Sequence, residues 1–393
     1  VTARAPAVAA AAVVLAGLAG CTSYEYEGVD LSDHVPPEYV EQVRNALELA
    51  GDNGPALLRA VRTAGESDRE ALAFLVSELP PVDLATIDAE FLSGTVRLAG
   101  ETQSRFTWGA SVPRDVYLRY VLPPRVSQEP IENWRPYLLE ALAPRIEGID
   151  SMEQAALEVN RWCGEHVGFR QTQRRDQGVF ETLASGYGRC EEMMIVHIAA
   201  LRSVGIPARQ AWTPYWATCD NNHAWTEVWV DGRWHYTGAC EPRDCLDDAW
   251  FNERVRTASL VLSAVMGSAA EGEDVYRTEE RFALVNSTPN YASTGSLSVS
   301  VRENGSGAVG AKVTVSVWNF GALRAIARLE TGEEGTADIR LGPGTYFVCA
   351  GSHEAYDWRP ASVEAGGRTE LVLDLGASPS LEAEFWLRGE EAD

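Results

Sequence analysis

The run "CEEMMIVHIAALRSVGIPAR", residues 190 to 209, constrains this chain more than any other stretch. Beyond its two glutamates it is apolar on nearly all sides, through Met193, Met194, Ile195, Val196, Ile198 and Leu201. Such a pattern reads as a buried helix, stopped near Gly205 and Pro207. Gly186 and Gly188 allow the tight entry it needs. The helix begins on Cys190, where a thiol meets unpaired backbone N–H groups and the positive end of the helix dipole. Both favour thiolate, which makes Cys190 a candidate nucleophile. The other reading is an inert core cysteine, since free cysteines are among the most buried residues.

The second informative stretch is "NNHAWTEVWVDGRWHYTGACEP", residues 221 to 242. "HAWTEVWV" alternates as a strand, Asp231-Gly232 is a two-residue hairpin signal, and "RWHYTGA" returns. His223 therefore heads one arm of a hairpin. A thiol nucleophile needs an imidazole to take its proton and to protonate the leaving group, so Cys190 and His223 mean more together than apart.

"GRC" at 188 to 190, "GIPAR" at 205 to 209, "HAWTEVWV" at 223 to 230 and "GRWHYTGACEP" at 232 to 242 together resemble the transglutaminase-like superfamily, of papain-type thiol fold. The resemblance implies an α+β core, a helix-start cysteine packed on an antiparallel sheet, with Cys190 as nucleophile and His223 as base. The family places an aspartate four residues after the tryptophan of the returning strand, here Trp234, and that position holds Gly238. In a hairpin turning on Asp231 and Gly232, Trp229 faces Trp234 and His223 faces Cys240, so Glu241 points away from the histidine. Glu241 reaches His223 only if the strand has ended or a bulge at Gly238 reverses the parity. "GACEP" resembles a bacterial subgroup that lacks the aspartate and keeps this glutamate, which makes Glu241 the third catalytic candidate.

Trp212 and Trp216, in the loop-like "AWTPYWATCDNN", are expected as cleft walls, and Trp225 and Trp229 as packing beneath the histidine. His197 shares the face of Cys190 but lies too far along the helix to help it, and is structural. Cys219, His223, Cys240 and Cys245 allow a zinc reading, but that leaves the cysteine-headed helix unexplained. The expectation is instead a Cys219 to Cys240 or Cys219 to Cys245 disulfide, with Cys163 in the core. No metal or other cofactor is expected, and no EF-hand-like loop is present.

Residues 1 to 20, ending in "LAG" before Cys21, resemble a bacterial lipoprotein signal, which implies lipidation at Cys21 and a membrane contact through acyl chains. The expected site is the extracytoplasmic cell envelope, at the outer membrane where the host has one. A net charge of −24 argues against nucleic acid as a partner. The expected domains are a tether over 21–35, an N-terminal helical and mixed region over 36–145, the core over 146–260, a connecting segment over 261–290 and a β-sandwich over 291–390. The last rests on short alternating strands split by glycine turns, and "LGPGTYFV" resembles carboxypeptidase-regulatory or transthyretin-like modules. The resulting expectation is a thiol enzyme acting on amide bonds of a peptide or glycopeptide, by hydrolysis before transamidation. The alternative is a binding lipoprotein with a degenerate site.

Overall fold

The structure is a computed structural model that describes residues 24–172, 175–279, 282–352 and 355–376. The signal-like segment and Cys21 lie outside the described residues. The expected tether does not hang free where it is described. Leu31 and Val35 are buried in the N-terminal helical core, because both are large apolar groups that reach the helices packed beside them. That core is built on helices Val40–Leu49, Gly54–Thr63, Arg69–Glu78 and Ala89–Arg105. Ser151 caps helix Met152–His166 through the Gln154 N–H, as its sequence signature implies.

A six-stranded sheet forms the middle layer: β1 (Ala208–Thr213), β2 (His223–Val230), β3 (Arg233–Thr237), β4 (Leu262–Met266), β5 (Val275–Glu279) and β6 (Phe282–Asn286), in the order β3-β2-β1-β4-β6-β5. Residues 261–290, expected to connect two domains, thus supply half of its strands. β4 and β6 are short apolar runs that are ambiguous alone; β4 joins the sheet by pairing with β1, β6 by pairing with β4, and the more polar β5 by pairing with β6. The β2–β3 hairpin turns on Asp231 and Gly232, both at positive φ, and Trp229 faces Trp234. Strand alternation gives the sheet two faces. Ala208, Ala224 and Val228 pack against the helix Cys190–Ser203, hereafter the thiol helix, while Val265, Ala283 and Val285 pack against the N-terminal helices.

The thiol helix is buried along almost its whole length, as its composition demands. It lies between the sheet and helices Trp134–Ile146 and Met152–His166. Beyond Gly295 the chain forms two four-stranded sheets that enclose one apolar core, the expected sandwich. No helix among the described residues is long and apolar enough to cross a membrane.

Candidate active site

Cys190 is the first residue of the thiol helix and His223 the first residue of β2. Both open into one cleft of about 690 Å³, walled further by Trp216, Glu241, Trp250 and Arg254. The helix start is held by Glu192, a fully buried carboxylate that accepts from the Arg189 N–H at 3.0 Å, the Gln177 N–H at 3.1 Å and the Thr172 hydroxyl at 2.7 Å. Three donors offset the cost of burying that charge, and they fix the turn that presents Cys190.

The Cys190 thiol donates to Glu191 Oε2 at 3.2 Å. Burial, reinforced by the Glu191 charge, pushes the thiol up to about 12, against the opposing pull of the Ala224 backbone N–H. The helix start was expected to lower it. The dipole is outweighed because the sulfur is out of water and faces a carboxylate. At rest Cys190 is therefore a thiol.

His223 is 8% exposed, among four aromatic rings. Trp250 and Phe251 lie 4.9 Å from it, Trp225 5.9 Å and Trp216 6.2 Å, centroid to centroid. Burial pulls its pKa down to about 4, with the Glu191 charge opposing and Arg254 assisting. The imidazole is thus neutral and able to accept a proton. It makes no hydrogen bond to Cys190 or Glu241, so the structure brings the expected residues to one cleft without closing a bonded triad.

The question at Gly238 has a geometric answer. β3 ends at Thr237, and the chain turns over Gly238–Glu241, closed by the Glu241 N–H on the Gly238 carbonyl at 3.3 Å with Cys240 at φ +57°. Strand parity no longer binds Glu241. Its carboxylate folds back over Gly238, so that a Cβ at 238 would collide with Oε2 and sit 3.0 Å from the Glu241 Cβ. Glu241 therefore fills the space that a side chain at the family's aspartate position would occupy. It does not bond the histidine. It accepts from the Trp250 indole N–H at 2.9 Å, and the Trp250 ring packs on His223.

Trp216, only 1% exposed, stacks with Trp225 and His223 and lines the cleft, whereas Trp212 lines an adjoining groove. Trp229 packs on Trp234 rather than beneath His223. The buried His197 bonds Thr226 Oγ1 at 3.1 Å and is structural, as expected. Cys163, Cys240 and Cys245 carry free thiols, so neither expected bridge to Cys219 is present. Cys240 points into the core, donating to the Met193 carbonyl at 3.4 Å beside Cys163, because the left-handed turn directs it away from the hairpin face. No group of three or more His, Cys, Asp or Glu suited to a metal occurs among the described residues.

Sequence reasoning missed Glu191, Glu192 and Trp250, although "EE" directly after Cys190 was a visible signal. It also missed Asn319, at the end of a sandwich strand. Asn319, 1% exposed, donates to the carbonyls of Trp216 at 3.1 Å and Cys219 at 2.9 Å and accepts from the Asn221 N–H at 3.0 Å. Those residues form the loop that carries Trp216 and delivers His223.

Residues 140–238 match the family profile of the transglutaminase-like superfamily, a match that ends on Gly238. Among solved structures, the chain is similar to a cysteine protease candidate from Cytophaga hutchinsonii, at 16% identity over 47% of this chain and 68% of that one, TM-score 0.29. It is also similar to red sea bream transglutaminase, at 10% identity over 63% of this chain and 57% of that one, TM-score 0.20. A minor pilin of Streptococcus agalactiae matches at 11% identity over 45% of this chain and 85% of that one, TM-score 0.18. No curated protein matches the chain.

Proposed function

We propose, from the transglutaminase-like domain over residues 140–238, that this protein is a thiol enzyme acting on amide bonds through an acyl-enzyme on Cys190. The observation that carries the reading is the opening of Cys190 and the neutral His223 into one cleft, each at the first residue of its element. With thiol and imidazole both neutral at rest, attack is coupled to proton transfer. His223 takes the thiol proton as sulfur closes on the carbonyl, then returns it to the leaving nitrogen. Backbone N–H groups at the start of the thiol helix receive the oxyanion. Water then releases the acyl group, because an acyl-enzyme hydrolyses unless an amine is bound to displace water.

The test is the burst of p-nitrophenol from p-nitrophenyl acetate. One equivalent is expected, lost in Cys190→Ala and slowed about 100-fold in His223→Ala. Added glycine ethyl ester then separates the outcomes, since a faster turnover with an amide product marks transamidation. A second reading, a binding protein with a silent thiol, is favoured by the raised thiol pKa and the unbonded His223. A burst absent from the parent protein, or unchanged in His223→Ala, selects it.

We also propose that the protein is lipid-anchored through Cys21 outside the cytoplasm, a reading supported by "LAGC" at residues 18 to 21. Its test is mass and membrane fractionation of Cys21→Ala, with release of the protein or stalled processing expected.

A further inference from the structure

Two buried thiols from distant parts of the chain, Cys163 and Cys240, meet in the apolar core behind the active-site cleft. Cys163 belongs to helix Met152–His166, and Cys240 sits at φ +57° in the turn after β3. Ala239 and Glu241, the neighbours of Cys240, line the cleft, whereas its own sulfur turns inward to the Met193 carbonyl.

One face of the helix holds this turn at residues i, i+3 and i+4. Asn160 Nδ2 donates to the Gly238 carbonyl at 2.9 Å and to Thr237 Oγ1 at 3.0 Å. Gly164 lies so close that a Cβ there would stand 3.0 Å from the Cys240 carbonyl oxygen and 2.8 Å from Cδ of Pro242. Between these two contacts the Cys163 thiol reaches the Cys240 thiol at hydrogen-bond range. The two backbones are therefore already held together on both sides of the sulfur pair, which is what a disulfide requires.

We propose that Cys163 and Cys240 form a modification site, oxidised by a small disulfide such as oxidised glutathione to one intramolecular bridge that ties the cleft-lining turn to helix Met152–His166. As the core opens, one sulfur attacks glutathione disulfide as thiolate and releases one reduced glutathione. The second sulfur then displaces the other glutathione. One S–S bond replaces two S–H bonds, and the two protons and two electrons end on two reduced glutathiones. The bridge closes a loop of roughly 80 residues that contains both Cys190 and His223, so it constrains the unfolded chain strongly. Cys190 stays outside this exchange because its sulfur opens into the cleft beside Glu191 while Cys240 faces the core. The bridge needs no chemistry at Cys190 and stands whether or not that residue is acylated.

The test incubates the full chain with oxidised glutathione in urea just below its unfolding transition, where local openings admit the reagent. Remaining thiols are blocked with N-ethylmaleimide under denaturing conditions, and tryptic peptides are weighed. Peptides 162–170 and 234–243 each hold a single cysteine. They are expected to be joined, two hydrogens lighter than their sum, in chains whose intact mass is that of one copy. The thermal midpoint is expected to rise by about 2–5 °C and to fall back on reduction with a phosphine. Cys163→Ala and the bulkier Cys163→Val should each lose both the joined peptide and the shift, and Cys219→Ala should keep both. Maleimide on both peptides after oxidation, or either peptide joined to that of Cys190, Cys219 or Cys245, overturns the site. A joined peptide with an unchanged midpoint overturns the tie between turn and helix.

Discussion

Exchanging the carboxylate between positions 241 and 238 tests how this site manages without the family's aspartate. Gly238 has no positive φ, so its backbone accepts a side chain, but the Glu241 carboxylate occupies the space. Gly238→Asp must therefore expel Glu241 and break its 2.9 Å bond to the Trp250 indole. A hydrogen bond to a charged group contributes about 1.5–3 kcal/mol, here toward the lower end because Trp250 is 47% exposed. Replacing glycine returns about 0.4–1 kcal/mol through the unfolded chain. The net expectation is a destabilisation of about 1 kcal/mol for Gly238→Asp.

Glu241→Ala leaves the indole to water and frees the ring that packs on His223, and the initial burst should slow about tenfold, equivalent to 1.4 kcal/mol. In Gly238→Asp/Glu241→Ala the new carboxylate enters a vacated space, and both stability and burst should recover. Urea unfolding and burst rates of the four proteins form a double-mutant cycle with an expected coupling of about 1 kcal/mol or more. Effects that add to within about 0.5 kcal/mol would refute the claim that the two positions share one space.

Asn319→Ala removes three hydrogen bonds from the Trp216–Asn221 loop. Faster amide exchange over residues 216 to 221 and an acylation rate lowered about tenfold are expected, and unchanged exchange counts against the brace. Since burial holds His223 near 4, the acid limb of acylation should fall near pH 4 rather than near 6.5, as read from burst rates between pH 3 and 8. Both His223 and His197, the latter held down to about 3 by burial, have folded pKa values below their unfolded ones. The unfolded chain protonates first, so their contribution is complete above about pH 6.5 and erodes as pH falls toward 4 and then 3. Each accounts for a few kcal/mol at most, and urea midpoints at pH 7 and pH 4.5 measure the loss.

The elements that bear the chemistry were legible because their signals are local. A largely apolar helix headed by Cys190 and an alternating strand headed by His223 need only side-chain periodicity. The Asp231-Gly232 turn needs only the left-handed φ that both residues tolerate, and it fixed the Trp229 to Trp234 register in advance. The sandwich strands followed from the same alternation. By contrast, β4, β5 and β6 look like a connection until β4 pairs with β1, β6 with β4 and β5 with β6.

By itself, then, the sequence determined which residues stand at the head of which element, since caps, turns and periodicity act over a few residues. Only the tertiary structure decided the state of those residues. The Cys190 thiol is raised and not lowered because burial and Glu191 act on it together, and burial is a property of the whole packed layer. Glu241 stands over Gly238 because the strand stops and the chain turns left-handed at Cys240, a choice that alternation cannot foresee. Asn319 reaches the histidine loop from about a hundred residues away, across a contact between domains that no local pattern encodes.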